Sequence, residues 1–211
     1  MDKGLELRDV QIAKNGVGLV GLNHVIAPGD VLSVMGPSGI GKSTLLAYVT
    51  GTLPPAFTAT GQVILDGIDI TNAPPHRRSV GILFQDDLLF PHLSVGANLA
   101  FGLRKGGSKS ERNALVETAL ADVDLSGFSD RDPATLSGGQ KARVALMRML
   151  LSRPCALLLD EAFSRLDTAL RAQIRSLVFE RAKALALPVL MVTHDAEDAA
   201  AAGGTIIELG K

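Results

Sequence analysis

The sequence predicts an α/β fold: a mostly parallel sheet covered by helices and interrupted by an inserted helical segment. Short apolar runs at Val31 to Met35, Val80 to Phe84, Ala156 to Leu159, Val189 to Val192 and Thr205 to Leu209 have the length and the lack of alternation expected of strands buried on both faces. Helical patterns lie between several of them. Asp167 or Thr168 can cap a stretch whose apolar stripe is Leu170, Ile174, Leu177, Val178 and Leu185, and which ends near Pro188 just before a strand. From about Asp86 to Arg153 the pattern changes to helices and loops without a convincing strand. There the spacing predicts a helix over Glu111 to Ala121, entered through the basic loop Arg104 to Arg112, which reads as a solvated surface. A second helix is predicted over Lys141 to Ser152, stopping before Pro154.

This pattern divides the 211 residues as one domain with a core lobe at 1–85 and 154–211 and a helical lobe at 86–153. An apolar share of 46% with 20% charged residues excludes a mainly disordered chain. Lys and Arg number 21 against 22 Asp and Glu, so there is no broad basic field to hold nucleic acid or an anionic membrane surface. Ser43 to Leu65 carries no charge, but Gly51, Pro54, Pro55 and Gly61 break it as a spanning helix. Met1 to Glu6 lacks the apolar stretch of a secretory leader, and no regulatory extension is expected beyond Lys211. Cys155 is the single cysteine, which excludes an intrachain disulfide and suits a reducing compartment.

Three motifs carry chemistry. Gly36, Pro37, Ser38, Gly39, Ile40, Gly41, Lys42, Ser43 and Thr44 follow one apolar run and open a helix-like stretch, which is the context of a phosphate-binding loop. Its glycines let successive N–H groups turn inward, and the following helix adds its positive end. A triphosphate is the natural guest: Lys42 reaches the β- and γ-phosphates, and the Ser43 hydroxyl joins the shell of a Mg²⁺ ion. The run Ala156 to Leu159 then delivers two adjacent carboxylates at a strand end, where open parallel sheets bind ligands. Asp160 suits the Mg²⁺ shell, and Glu161 can orient or deprotonate the water that attacks the γ-phosphate. Between these motifs, Leu136-Ser137-Gly138-Gly139-Gln140 heads the second predicted helix. Ser137 can cap it, and the glycines leave amides open at its positive end, making a second anion-binding element.

These three motifs in this order resemble the ATP-binding cassette (ABC) ATPases, and the resemblance extends from about residue 5 to the end. It implies a P-loop NTPase, RecA-like core with a small N-terminal antiparallel β region. By the same resemblance Gln85 matches the glutamine that reaches Mg²⁺ and the attacking water, and His194 the switch histidine at the γ-phosphate. Ser164 to Asp167 matches the loop that crosses a dimer interface, with Arg165 where the family usually has Ala. The family works as a head-to-tail, ATP-dependent homodimer, in which Ser137 to Gln140 and Asp167 complete the partner's site. The segment Gln85 to His92 resembles importer members, where it faces an integral membrane permease. The resemblance therefore implies an ATPase energising a bacterial importer served by a periplasmic binding protein, placed peripherally on the cytoplasmic face of the inner membrane. A soluble cassette ATPase of DNA repair or the ribosome is the alternative; the insertions or second cassette of those proteins are absent from this sequence.

Ala162 stands where proline often follows the Asp-Glu pair, leaving both carboxylates in place. A larger departure is that residues 1–47 contain no Phe, Tyr or Trp, although the family commonly stacks adenine on an aromatic upstream of the phosphate loop. Losing that partner costs about 1 kcal/mol, or several-fold in affinity. ATP and GTP are expected to compete almost equally in a displacement assay, and a strong ATP preference would contradict this.

Overall fold

The computed structural model describes residues 4–210; Met1 to Lys3, part of the leader expectation, and Lys211 lie outside the described residues. Among the described residues nine strands and six α-helices follow one another. They are β1 Leu5–Lys14, β2 Val17–Ile26, β3 Val31–Met35, α1 Lys42–Thr50, β4 Phe57–Leu65, β5 Ile68–Asp69 and β6 Val80–Phe84. After these come α2 Val95–Gly102, α3 Lys109–Ala121, α4 Gly138–Leu151, β7 Ala156–Asp160, α5 Thr168–Ala184, β8 Val189–Thr193, α6 Ala196–Ala202 and β9 Thr205–Glu208. The chain forms two compact units, one of residues up to 82 with 155–161 and 179 onward, the other of 83–154 and 162–178.

The five predicted strands form one sheet in the order β6-β7-β8-β3-β9. The pairs β3–β8, β3–β9 and β7–β8 are parallel. Burial explains the runs in the middle of the sheet, where every residue of β8 is buried, as are the first four of β7; β9, at one edge, is largely exposed, so the two-sided burial expected of its run does not hold there. Thr205 to Leu209 shortens to Thr205–Glu208: the Leu209 amide donates to Met35 O at 2.8 Å and closes the last rung, and Gly210 at φ 88° turns the chain just beyond it.

The antiparallel region is a second sheet in the order β2-β1-β4-β5. Asn15 and Gly16, at φ 52° and 77°, turn β1 into β2. Leu5, Leu7, Val10 and Ile12 of β1 all bury, but they do not alternate strictly, because a bulge at Asp9 shifts the register. Gly61 of β4 lies opposite, at φ 87°, where a Cβ would come within 2.4 Å of Asp9 O, so the bulge requires glycine there. The uncharged run from Ser43 resolves into α1, a turn and β4; among the described residues no helix is long and apolar enough to cross a membrane.

Arg78 fastens α1 at its C-terminal end. Its Nη1 donates to Tyr48 O and Val49 O at 2.8 and 2.9 Å, its Nε to Ala73 O at 2.8 Å, and its Nη2 to Thr71 O at 2.5 Å. A guanidinium meets the last carbonyls of a helix with favourable charge, and at 5% exposure this one is shielded from water. Burial pushes its pKa below the usual arginine value.

In the second unit, α2, α3 and α4 pack around Val95, Leu99, Val116, Leu120, Val144 and Met147. The helix predicted over Glu111 to Ala121 begins at Lys109, because Ser108 caps it and Glu111 reaches back to the Ser108 amide. The basic loop before it is not simply solvated. Arg104 donates to Ser152 O and Arg153 O at the end of α4, and Arg112 to Ala100 O near the end of α2. Two of its arginines therefore close helix ends.

Arg78→Met keeps the volume but removes four hydrogen bonds to carbonyls. It should lower stability by about 3 kcal/mol, seen as a lower urea midpoint with an unchanged slope. A shift under about 0.5 kcal/mol would show that water replaces the guanidinium.

Candidate active site

Parallel pairing in one register brings three chain segments level. Met35 lies opposite Thr193, and Asp160 opposite Val192, so the residues that follow these strands (Gly36, His194 and Glu161) leave the sheet at one edge. This is the C-terminal edge, where α/β sheets bind ligands.

The loop from Gly36 to Gly41 leads straight into α1. Gly41 is the N-cap at φ 112°, where no side chain caps the helix, and a Cβ there would stand 2.9 Å from Val20 Cγ2 of β2. Glycine at this position thus satisfies both backbone and packing. A Cβ on Gly39 would meet nothing within 4 Å, so the loop keeps an open inner approach. Lys42, buried on the first turn, folds back over this loop and donates from Nζ to Gly36 O at 2.7 Å and Pro37 O at 3.1 Å. Ser43 and Thr44 complete the turn. Uncapped first-turn amides beside an ammonium group suit a phosphate chain.

The carboxylates stand beside this loop. Ser43 Oγ donates to Asp160 Oδ1 at 3.0 Å across 117 residues of sequence. Burial raises the Asp160 pKa, and neighbouring Glu161 adds to the rise, while the Ser43 bond and Lys42 oppose it. A hydroxyl and a carboxylate this close offer two hard oxygen ligands, which fits Mg²⁺ shared with phosphate oxygens rather than caged by protein. Glu161 turns out of β7 at φ 47°, a left-handed conformation unusual for a glutamate, while its amide still donates to Val192 O at 3.1 Å. The corner directs Glu161 Oε1 to 3.6 Å from Lys42 Nζ and 3.2 Å from His194 Nδ1. His194 is followed by Asp195, whose carboxylate caps α6 through the amides of Glu197 and Asp198. The first unit thus gathers Gly36 to Thr44, Asp160, Glu161 and His194.

The second unit carries the other predicted residues. Gln85 is exposed directly after β6, and Asp167 is exposed at the head of α5, accepting from Leu170 N at 3.1 Å. Ser137 caps α4 as expected, in a reciprocal box with Gln140: Ser137 Oγ accepts from Gln140 N at 3.4 Å, and Gln140 Oε1 from Ser137 N at 3.0 Å. The helix predicted to start at Lys141 already includes Gly138 and Gly139, because this box closes its first turn three residues earlier. The amides of Gly138 and Gly139 are left as the first-turn donors with no carbonyl four residues back.

The two glycines answer different demands. A Cβ on Gly139 would meet Leu170 Cδ1 at 2.4 Å, whereas one on Gly138 meets nothing within 4 Å. Packing alone therefore explains Gly139, while exposed Gly138 leaves room for an approaching ligand. Sequence reasoning missed Arg148, which no motif marks and which bonds the carbonyls of Asp87 and Leu88, and gave Asp86 no role beyond its place in the segment Gln85 to His92. Gly139→Ala should lower stability by about 1–2 kcal/mol through overpacking, and Gly138→Ala should leave it unchanged or raise it by up to about 1 kcal/mol. Thermal melts of both variants decide this, and equal losses would contradict it.

Comparison with known proteins agrees with this fold. The family profile described as ABC transporter matches residues 19–164. An ABC transporter ATP-binding protein of Escherichia coli K12, YnjD, is 49% identical over 180 residues, covering 85% of this chain and 83% of its own. The Fe(3+) ions import ATP-binding protein FbpC of Escherichia coli O157:H7 is 40% identical across 98% of this chain, which spans 59% of that relative's length. The spermidine/putrescine import ATP-binding protein PotA of Lawsonia intracellularis is 39% identical, and the chain spans 56% of it. The structure of cbiO1 from Clostridium perfringens, part of the ABC transporter complex cbiONQ, superposes with a TM-score of 0.85 at 28% identity. It covers 99% of this chain and 85% of its own. With a profile match over more than half of its residues and this fold, the chain belongs to the ABC transporter family as a nucleotide-binding subunit.

Proposed function

We propose that this chain hydrolyses ATP to drive a bacterial importer. The observation that carries the reading is the meeting of Lys42, Ser43, Asp160, Glu161 and His194 at one sheet edge, beside an uncapped helix start. The loop Gly36 to Thr44 holds the phosphates through its amides, and Lys42 exchanges its loop carbonyls for phosphate oxygens. Ser43 and Asp160, whose oxygens lie 3.0 Å apart, would hold Mg²⁺. When bound, Mg²⁺ neutralises charge on the phosphates and polarises the γ-phosphoryl group. Glu161 orients the attacking water and accepts its proton, from a corner already turned toward the loop. His194, beside Glu161, contacts the γ-phosphate.

In this reading Ser137, Gly138, Gly139 and Gln140, with Asp167, complete the site of a second copy, so that two nucleotides lie between two chains arranged head to tail. The open approach at Gly138 supports it. In this reading the chain is one cassette domain with a core lobe of 1–85 and 154–211 and a helical lobe of 86–153. The permease docks on the segment after Gln85, where Leu88 and Phe101 are exposed at 56% and 68% and Phe90 packs edge-on against Phe101 with centroids 4.7 Å apart. A large apolar residue pair left in water on the helical unit suits a protein partner. A periplasmic binding protein acts on the far side, and the chain sits peripherally on the cytoplasmic face of the inner membrane. The importer names of FbpC and PotA support transport over a role in DNA repair or on ribosomes.

Glu161→Gln should reduce kcat at least about 10²-fold while leaving ATP binding in place, measured by phosphate release beside a nucleotide-binding assay. Turnover at the normal rate would remove Glu161 from the mechanism.

A further inference from the structure

The segment that follows β6 is fastened from two sides within the second unit. From α4, Arg148 Nη1 donates to Leu88 O at 2.9 Å and to Asn98 Oδ1 at 3.3 Å, and Nη2 donates to Asp87 O at 3.2 Å. The same guanidinium lies 5.2 Å from the centre of the Phe90 ring. These bonds grip Leu88 at φ 47°, a left-handed conformation unusual for a leucine. From the other side, Arg165 Nη1 pairs with Asp86 Oδ1, across 79 residues of sequence.

The two fastenings differ in kind. Arg148 grips main-chain carbonyls of half-buried and strained backbone, so it sets the shape of the segment whatever side chains stand at 87 and 88. Arg165 grips the side chain of Asp86, directly after Gln85, and itself stands two residues before Asp167. The pair is exposed, at 60% for Arg165 and 52% for Asp86, so water and salt can break it and it can re-form.

We propose that Arg165 is a positioning residue: its ion pair with Asp86 ties the segment bearing Gln85 to the loop bearing Asp167, so that the two segments move together. The proposal rests on the roles given above to Gln85 and Asp167. An exposed pair is worth about 0.2–1 kcal/mol, so breaking it should change a readout by a factor of about 1.5–5.

Hydrogen exchange on the full chain decides the matter without requiring turnover. In Arg165→Ala the amides of 85–88 should exchange about 1.5–5-fold faster, and in Asp86→Ala those of 164–167 should do the same, with both effects fading in high salt. The swapped double variant, Asp86→Arg with Arg165→Asp, should restore exchange in both segments. In ATP hydrolysis, each single variant should lose kcat by a similar factor at unchanged KM, and the swap should recover it. If each single substitution accelerates only its own segment, or the swap is no better than the singles, the tie does not exist. Glu161→Gln separates the two readings. Normal hydrolysis in that variant alongside coupled exchange overturns the functional assignment and leaves the tie, whereas abolished hydrolysis with uncoupled exchange overturns the tie alone.

Discussion

The parallel register of β7, β8 and β3 is the constraint on which the site depends. Because Asp160 pairs with Val192 and Met35 with Thr193, three segments far apart in sequence end at the same level of one sheet. A slip of one residue in any of these strands would turn its side chains to the opposite face and carry its terminal residue away from the others. The apolar runs resist such a slip because both faces are buried. Core packing and placement of the chemistry are thus one problem, solved by the same side chains.

On that platform the loop and the carboxylates hold one another. Ser43 bonds Asp160, Lys42 lies near Glu161, and Glu161 lies near His194, so each charged group has an oppositely charged or polar neighbour within 4 Å. Burial disfavours the ionised form of Asp160, and the positive φ of Glu161 stores backbone strain at the residue proposed to handle the water. Both features cost stability where they stand. Arg78 at the far end of α1 and the bulge at Asp9, with Gly61 opposite, supply rigidity in the same unit, away from the reacting groups.

Much of this was legible in the sequence, for identifiable reasons. Strands buried on both faces write themselves as continuous apolar runs, which makes β3, β7 and β8 legible to within a residue of their ends; the edge strands β6 and β9 are more exposed and are legible only because they too are short apolar runs. The phosphate loop and the Ser137 cap were legible because each depends on local backbone chemistry that only certain residues allow. The strands of the antiparallel sheet were harder to place, since the bulge at Asp9 breaks the alternation of β1 and β4 opens on the mixed stretch Phe57-Thr58-Ala59-Thr60-Gly61. What pattern reading did not reach were contacts between side chains distant in sequence: Arg78 with the end of α1, Arg148 with the carbonyls of Asp87 and Leu88, and Arg165 with Asp86. No periodicity encodes these, because each depends on where two separately folded segments come to rest.

The proposal that Ser137 to Gln140 serves a neighbouring chain is tested most directly by complementation. A Lys42→Ala chain and a Ser137→Arg chain are each assayed alone for ATP turnover and then mixed. If each site is built from two chains, a mixed pair contains one site with both elements intact, and the mixture should regain a substantial part of normal turnover from two nearly inactive proteins. If both elements serve the same chain, every site carries a defect, and the mixture should stay as inactive as its components.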